Sequence, residues 1–284
     1  MLLTFLSTVF LTVAAAPDKP HTPTFDYDTA RPLEVAGTGV VLRDISFAGA
    51  SGRRIEATVV GPAQPGRHPA VLFAHWYEEP ALNSNRTEFL PDALRLARSG
   101  VVSLLVDTMW SDPKWFSTRK PADDFPISVA QVEDLRRALD LLASFDDVDA
   151  NRMAFVGHDF GAMYGSLLAG VDRRVKALVF MAGTRSFADW FLLGRKLDAT
   201  AERAVREELA PLDPLGYVGK IAPAPVLFQF ATKDPYVSKD AADALVAAAG
   251  EPKAVKFYDA GHGMSLEALE DRVPWLLQVL RVKP

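Results

Sequence analysis

The stretch Met153-Ala154-Phe155-Val156-Gly157-His158-Asp159-Phe160-Gly161-Ala162-Met163-Tyr164-Gly165 decides how the chain is read. Its first four residues are a short continuous apolar run, the pattern of a strand covered on both faces. From Asp159 to Ala169 the residues are mostly small or apolar and read as a helix. Hardly any chain lies between the two, so the backbone must pass from strand to helix through a very tight turn. Such a turn excludes bulky flanking side chains, and Gly157, Gly161, Ala162 and Gly165 meet that demand. Asp159 is then held up at the end of the strand, where a nucleophile would sit. The alternative is a glycine-rich turn in which Asp159 only caps the helix.

On either side, strand-like and helix-like segments alternate. Gly39–Phe47 and Arg54–Val60 flank Gly49, Ser51 and Gly52 and predict a hairpin. Ala70–Ala74, Val101–Val106, Val175–Met181, Val226–Phe230 and Ala254–Tyr258 read as further strands. Helices are predicted over Glu88–Ser99, Ile127–Phe145, Ser238–Ala249 and Ser265–Val282, the last bent at Pro274. The clearest is Ile127–Phe145, where Val132, Leu135, Leu139 and Leu142 recur at three- and four-residue steps. A hairpin followed by strand–helix units implies an α/β fold: a mostly parallel, doubly wound sheet with helices on both faces. With 284 residues the chain needs one such domain, expected over 37–284, with a small lid-like insertion over 184–221 after the sixth strand. Ligands of these sheets bind beyond the carboxyl ends of the strands, so the residues just after each strand carry the functional reading.

Two of those residues complete a constellation with Asp159. Asp234 follows the strand Pro225-Val226-Leu227-Phe228-Gln229-Phe230, and His262 follows Val255-Lys256-Phe257-Tyr258. Singly, Asp234 is an ordinary turn residue and His262 an ordinary loop histidine. Together with Asp159 they stand in the chain order nucleophile, acid, histidine on successive strand ends.

On these residues, from about Arg43 to Leu280, the chain resembles the α/β-hydrolase superfamily. Asp213-Pro214-Leu215, with Lys220-Ile221-Ala222-Pro223-Ala224-Pro225-Val226 ahead of the acid strand, is similar to the dienelactone-hydrolase-like and prolyl-peptidase-like branch. Gly157-His158-Asp159-Phe160-Gly161 resembles the turn of haloalkane dehalogenases and epoxide hydrolases, whose nucleophile is aspartate. The resemblance implies an α/β-hydrolase fold and a catalytic triad of Asp159, Asp234 and His262. It also implies an oxyanion hole from the backbone N–H groups of Trp76 and Phe160. Those enzymes usually carry Trp after the nucleophile, where this chain has Phe160, and their cap is larger than the segment 184–221.

A carboxylate is already a nucleophile at neutral pH, because its reference pKa is about 4. Attack on a saturated carbon gives an enzyme ester, which His262, oriented by Asp234, would hydrolyse by activating water. Attack on an ester carbonyl would give a mixed anhydride instead. The chemistry therefore favours carbon–halogen or epoxide substrates and the branch favours esters or lactones. His75, Tyr77, Glu78, Trp110 and Trp190 are the candidates for the substrate pocket. A second class stays open: a non-catalytic small-molecule-binding protein on a hydrolase scaffold.

Composition sets outer limits. A net charge of −5 and the lack of any basic run argue against nucleic-acid binding. With no cysteine, thiolate nucleophiles, disulfides and zinc–cysteine sites are excluded, and the expected chemistry needs neither metal nor cofactor. The partner expected is a small-molecule substrate. The apolar run Met1–Val13 before Ala14-Ala15-Ala16 reads as a signal peptide over 1–15, followed by an extended linker over 16–36 rich in Pro, Thr and Asp. This predicts a secreted or periplasmic protein with no membrane span after processing, or a cytoplasmic one if the start codon is misassigned. Mass spectrometry of exported protein should find an amino terminus near Ala16; an intact Met1 would refute the leader.

Overall fold

The computed structural model describes residues 27–29, 33–35, 38–50, 52–79 and 81–282. The expected leader, residues 1–15, lies outside them. Among the described residues, ten strands form one sheet: β1 Tyr27–Thr29, β2 Leu33–Val35, β3 Val40–Ala48, β4 Arg54–Pro62, β5 His68–Ala74, β6 Val102–Val106, β7 Val148–His158, β8 Val175–Met181, β9 Val226–Ala231 and β10 Lys253–Tyr258. Its order is β1-β3-β4-β6-β5-β7-β8-β9-β10, with β2 beside β3. From β6 to β10 all neighbours are parallel, while β3 and β4 form the expected antiparallel hairpin. Within the expected linker, residues 27–29 and 33–35 are strands, and β1 and β2 both pair antiparallel with β3.

The helices are α1 Leu90–Arg98, α2 Trp115–Thr118, α3 Asp124–Ser144, α4 Phe160–Val171, α5 Phe187–Phe191, α6 Ala199–Leu209, α7 Lys239–Ala248 and α8 Leu266–Val279. Strand alternation sorts the core into two layers. In β5, Val71 and Phe73 face α1 and α8 with Leu96, Val273 and Leu276, whereas Ala70, Leu72 and Ala74 face the layer of α3 and α4 with Leu139, Leu142 and Leu168. Neighbouring β7 alternates in phase, with Ala154 and Val156 on the first side and Met153 and Phe155 on the second. Because both faces are covered, every residue of β6 and β9 is buried. The edge strand β10 differs: four of its six residues are exposed, Val255 and Phe257 among them. Arg272 of α8 makes two hydrogen bonds to Asp92 of α1, at 2.5 and 3.0 Å, closing the first layer with a buried ion pair.

The expected insertion after β8 contains α5, α6 and short 3-10 turns before β9. Asp213 accepts a hydrogen bond from the Phe187 N–H, the first of α5, at 3.0 Å and so pins that helix over the sheet end.

Gly161 fixes how α4 leaves β7. A Cβ there would lie 2.0 Å from the Ala74 carbonyl oxygen at the end of β5, and one on Gly157 would lie 2.2 Å from the Gly161 oxygen. Gly161→Ala should therefore destabilise the fold by about 1–3 kcal/mol or more, since the obstacle is backbone that cannot turn aside. Gly216→Ala, with open space around the new methyl, should stay within about 0.5 kcal/mol. Urea unfolding of the two variants checks the contrast, and equal midpoints would contradict it.

Candidate active site

The tight turn puts Asp159 in a backbone conformation that side chains rarely adopt, with φ 54° and ψ −118°. This costs about 1–3 kcal/mol and persists only where surrounding structure enforces it. Here the Asp159 N–H donates to Met181 O of β8 at 2.9 Å, and its carbonyl accepts from the Met163 N–H at 3.0 Å. The side chain is fully buried.

Asp234 stands in the loop after β9. Its Oδ1 accepts from the backbone N–H groups of Tyr236 and Val237 at 2.8 and 3.1 Å. Its Oδ2 lies 2.8 Å from Nδ1 of His262, in the loop after β10, which places the ring proton on Nδ1. The other ring nitrogen, Nε2, is 3.9 Å from Oδ2 of Asp159. The three side chains singled out in the sequence therefore converge across β7, β9 and β10. Nε2 of His262 and Oδ1 of Asp159 are both buried and have no hydrogen-bond partner among the described residues. Buried polar atoms are seldom left so, and here two of them belong to neighbouring residues of one site.

The electrostatics follow from this sandwich. Burial works against an imidazolium at His262, yet the flanking carboxylates of Asp159 and Asp234 overcome it and push the pKa up to about 10. Burial also opposes ionisation of Asp234, but His262 and the two loop amides outweigh it and hold the carboxyl below its ordinary value. At Asp159 burial prevails and raises the carboxyl, although His262, His158 and the Tyr77 N–H act the other way. The two carboxyl groups on either side of His262 thus favour its protonated form.

The amide expected from Trp76 is spent elsewhere. Its N–H donates to Glu88 Oε2 at 2.7 Å, and the N–H of the next residue, Tyr77, meets Oδ2 of Asp159 at 3.1 Å. The loop after β5 thus presents the donor one residue later than expected, because Glu88 captures the first. Phe160, the other expected donor, opens α4, where helix N–H groups have no partner within the helix.

Glu88 does more than hold Trp76. Its Oε1 is 2.6 Å from Nδ1 of His158, whose Nε2–H donates to the His262 carbonyl at 2.9 Å. The Trp76 indole stacks on His158 at 5.2 Å with an interplanar angle of 8°. One buried Glu–His pair therefore ties together the loops after β5, β7 and β10. His158 stands in the turn motif itself, but nothing in the spacing of Glu88 marks it as its partner.

Beside the triad lies a cavity of about 180 Å³. Tyr77, Glu78 and Trp190 line it as expected, together with Phe116, Phe160 and Tyr236. Trp190 and Tyr236 pack on each other at 5.4 Å and on the His262 ring at 5.5 and 5.1 Å, so they form the layer between cavity and triad. Two pocket candidates are corrected. His75 is buried, its Nδ1–H donating to Trp76 O at 2.7 Å and its Nε2 facing the hydroxyls of Ser111 and Thr108 at 2.7 and 2.9 Å; burial lowers its pKa. Trp110 is also buried, its indole N–H given to His75 O at 3.0 Å and its ring stacked on Tyr164. Both support the loops from below, and neither lines the cavity. Tyr236 was not legible as a wall residue, although it stands two positions after Asp234.

Removing Glu88 strands a buried imidazole and the Trp76 amide. Glu88→Ala should cost about 3–5 kcal/mol in chemical denaturation, as expected when one partner of a buried pair is removed, and Glu88→Gln should recover a part. A loss below 1 kcal/mol for the alanine variant would show that the pair is not a structural tie.

No protein-family model matches the chain. Over 206 residues, 70% of this chain and 73% of the other, it is 25% identical to a Bradyrhizobium protein named as a probable 2-oxo-3-(5-oxofuran-2-ylidene)propanoate lactonase. Over 147 residues, 51% of this chain, it is 28% identical to the polyketide transferase ATR5 of Stachybotrys chlorohalonatus, and the match spans only 46% of that protein. Among solved structures, the acetyl xylan esterase from Paenibacillus sp. R4 superposes with a TM-score of 0.73 at 19% identity, covering 90% of each chain. At such identity the likeness establishes the architecture: the chain is an α/β-hydrolase by fold.

Proposed function

We propose that the protein is a hydrolase that uses Asp159 as a covalent nucleophile on a saturated carbon carrying a leaving group. The observation that carries this reading is the unequal setting of the two Asp159 oxygens. Oδ2 is held by the Tyr77 N–H and lies nearer to His262, while Oδ1 has no partner. An unsolvated, unpartnered carboxylate oxygen is a competent nucleophile, and the other oxygen already occupies the place where a later oxyanion would form.

In the first step Oδ1 bonds to the substrate carbon and the leaving group departs with its electron pair. Asp159 becomes an ester and loses its charge. His262 then has one flanking carboxylate instead of two, so its pKa falls and the ring gives its extra proton to the leaving group or, as that group departs, to water entering the site. As a neutral base it takes a proton from water, which attacks Cγ of Asp159. Negative charge gathers on Oδ2, facing the Tyr77 N–H and the start of α4. Collapse breaks the Cγ–Oδ1 bond, and the imidazolium returns its proton to the departing alkoxide. The alcohol carries away Oδ1, and Asp159 is restored with an oxygen from water.

The acetyl xylan esterase and the lactonase are named for bonds at acyl carbon. A carboxylate attacking acyl carbon would form a mixed anhydride, which is why aspartate in this turn supports attack at saturated carbon. Tyr217, the tyrosine of the insertion, gives its hydroxyl to Pro211 O at 3.0 Å, so it is engaged away from the cavity. One observation favours a binding-only scaffold: Asp159 is 0% exposed, so substrate reaches Oδ1 only if Trp190 or Tyr236 moves aside.

The two readings separate on His262→Gln challenged with haloalkanes, epoxides, lactones and p-nitrophenyl esters. The variant should react once and stop, trapped as an Asp159 ester visible by mass spectrometry, with turnover reduced about 10²–10⁴-fold. Decay of the wild-type adduct should speed up with pH through a pKa below 10, because esterification removes one of the charges that hold the ring at that value. Multiple turnovers in ¹⁸O water should label Asp159. Turnover without adduct or label would remove Asp159 as nucleophile, and no turnover or adduct on any probe would leave the binding scaffold.

A further inference from the structure

We propose that the cavity over Trp190 and Tyr236 receives an alkylammonium group, so that the preferred substrates are small organic cations. Five aromatic rings of the wall come from separate segments: Tyr77 of the loop after β5, Phe116 of α2, Phe160 of α4, Trp190 of α5 and Tyr236 of the acid loop. The rim bears two adjacent carboxylates, Glu78 and Glu79, and no Lys, Arg or His is among the lining residues. Among the described residues no basic side chain pairs with either carboxylate within 4.0 Å; Glu79 accepts only a hydrogen bond from the Tyr77 hydroxyl at 3.3 Å. The Glu78 charge reaches into the cavity, since it is the first cause of the raised pKa of the Tyr236 phenol.

Two features turn this from an acidic rim into a binding site. The walls are largely aromatic, and aromatic rings attract cations that have shed part of their water; the cavity of about 180 Å³ is smaller than the roughly 300 Å³ of drug-sized sites. Trp190 is 7% exposed and its indole N–H has no partner, a buried donor left for an acceptor atom of the same ligand. The site is therefore suited to a compact molecule with an ammonium head and a nearby acceptor. An anion would meet Glu78, Glu79 and the net negative triad together. The propanoate in the name of the Bradyrhizobium lactonase's substrate is thus poorly matched to this cavity.

The inference depends on the covalent reading only for where such a molecule reacts; head-group binding is measurable without turnover. Choline and its neutral isostere 3,3-dimethyl-1-butanol should be titrated calorimetrically into the whole folded protein, with chloride concentration held constant. Choline should bind about tenfold more tightly than the alcohol, and Glu78→Gln with Glu79→Gln should bring the ratio of the two affinities most of the way to one. Equal affinities, choline binding unaltered in the double variant, or no choline binding at 100 mM would each overturn the proposal. Retained choline preference with no Asp159 adduct on any substrate would defeat the covalent reading and leave the cation site standing.

Discussion

Two backbones that nearly touch set the position of everything else. α4 leaves β7 so close to the end of β5 that the Ala74 carbonyl occupies the space where residue 161 would carry a side chain. The contact requires glycine, and it forces the residue two positions earlier into the left-handed region of backbone space. It also brings the loop after β5 against the start of α4, which is how the Tyr77 amide comes within 3.1 Å of Asp159. A looser crossing would relieve the strain and would separate the carboxylate from its donor.

Around that crossing, charge is arranged to be consumed in sequence. Two carboxyl groups enclose His262 and push its pKa up, and in the proposed reaction one of them is the group that reacts. The histidine need not then be a base in the resting protein. In a serine-based site the ring must be neutral before the first step; in the proposed reaction the first step itself creates the neutral ring. The Glu88–His158 pair keeps the geometry on which this depends, since it bonds to the Trp76 amide on one side and to the His262 carbonyl on the other.

Much of this was legible from local pattern. Apolar runs such as Val101–Val106 and Val175–Met181 were readable because a strand buried on both faces has few polar positions. Asp159, Asp234 and His262 were readable because each stands within a few residues of the end of a strand-like run. What stayed hidden depends on contacts between distant segments. Nothing near Trp76 indicates that a carboxylate twelve residues on takes its amide and passes the donor role to Tyr77. Trp110 and His75 follow strands as pocket residues do, yet they bond to one another's loop and turn inward. β1 and β2 read as linker because three-residue strands pairing across a loop leave no periodic trace.

The placement of His262 has its own consequence. Its ring belongs to a loop beyond β10, the outermost strand, which pairs on one side only and leaves most of its residues to solvent. Edge strands of this kind generally open and reclose more readily than central, fully covered strands such as β5. If Asp159 is the nucleophile, as proposed, the carboxylate that captures substrate and the group that releases product stand just beyond strands of unequal exposure. Mild heat or denaturant should then impair the step at His262 before the step at Asp159. Partial loosening would leave a protein that captures a substrate and fails to let it go, a form of suicide inactivation that follows from strand order.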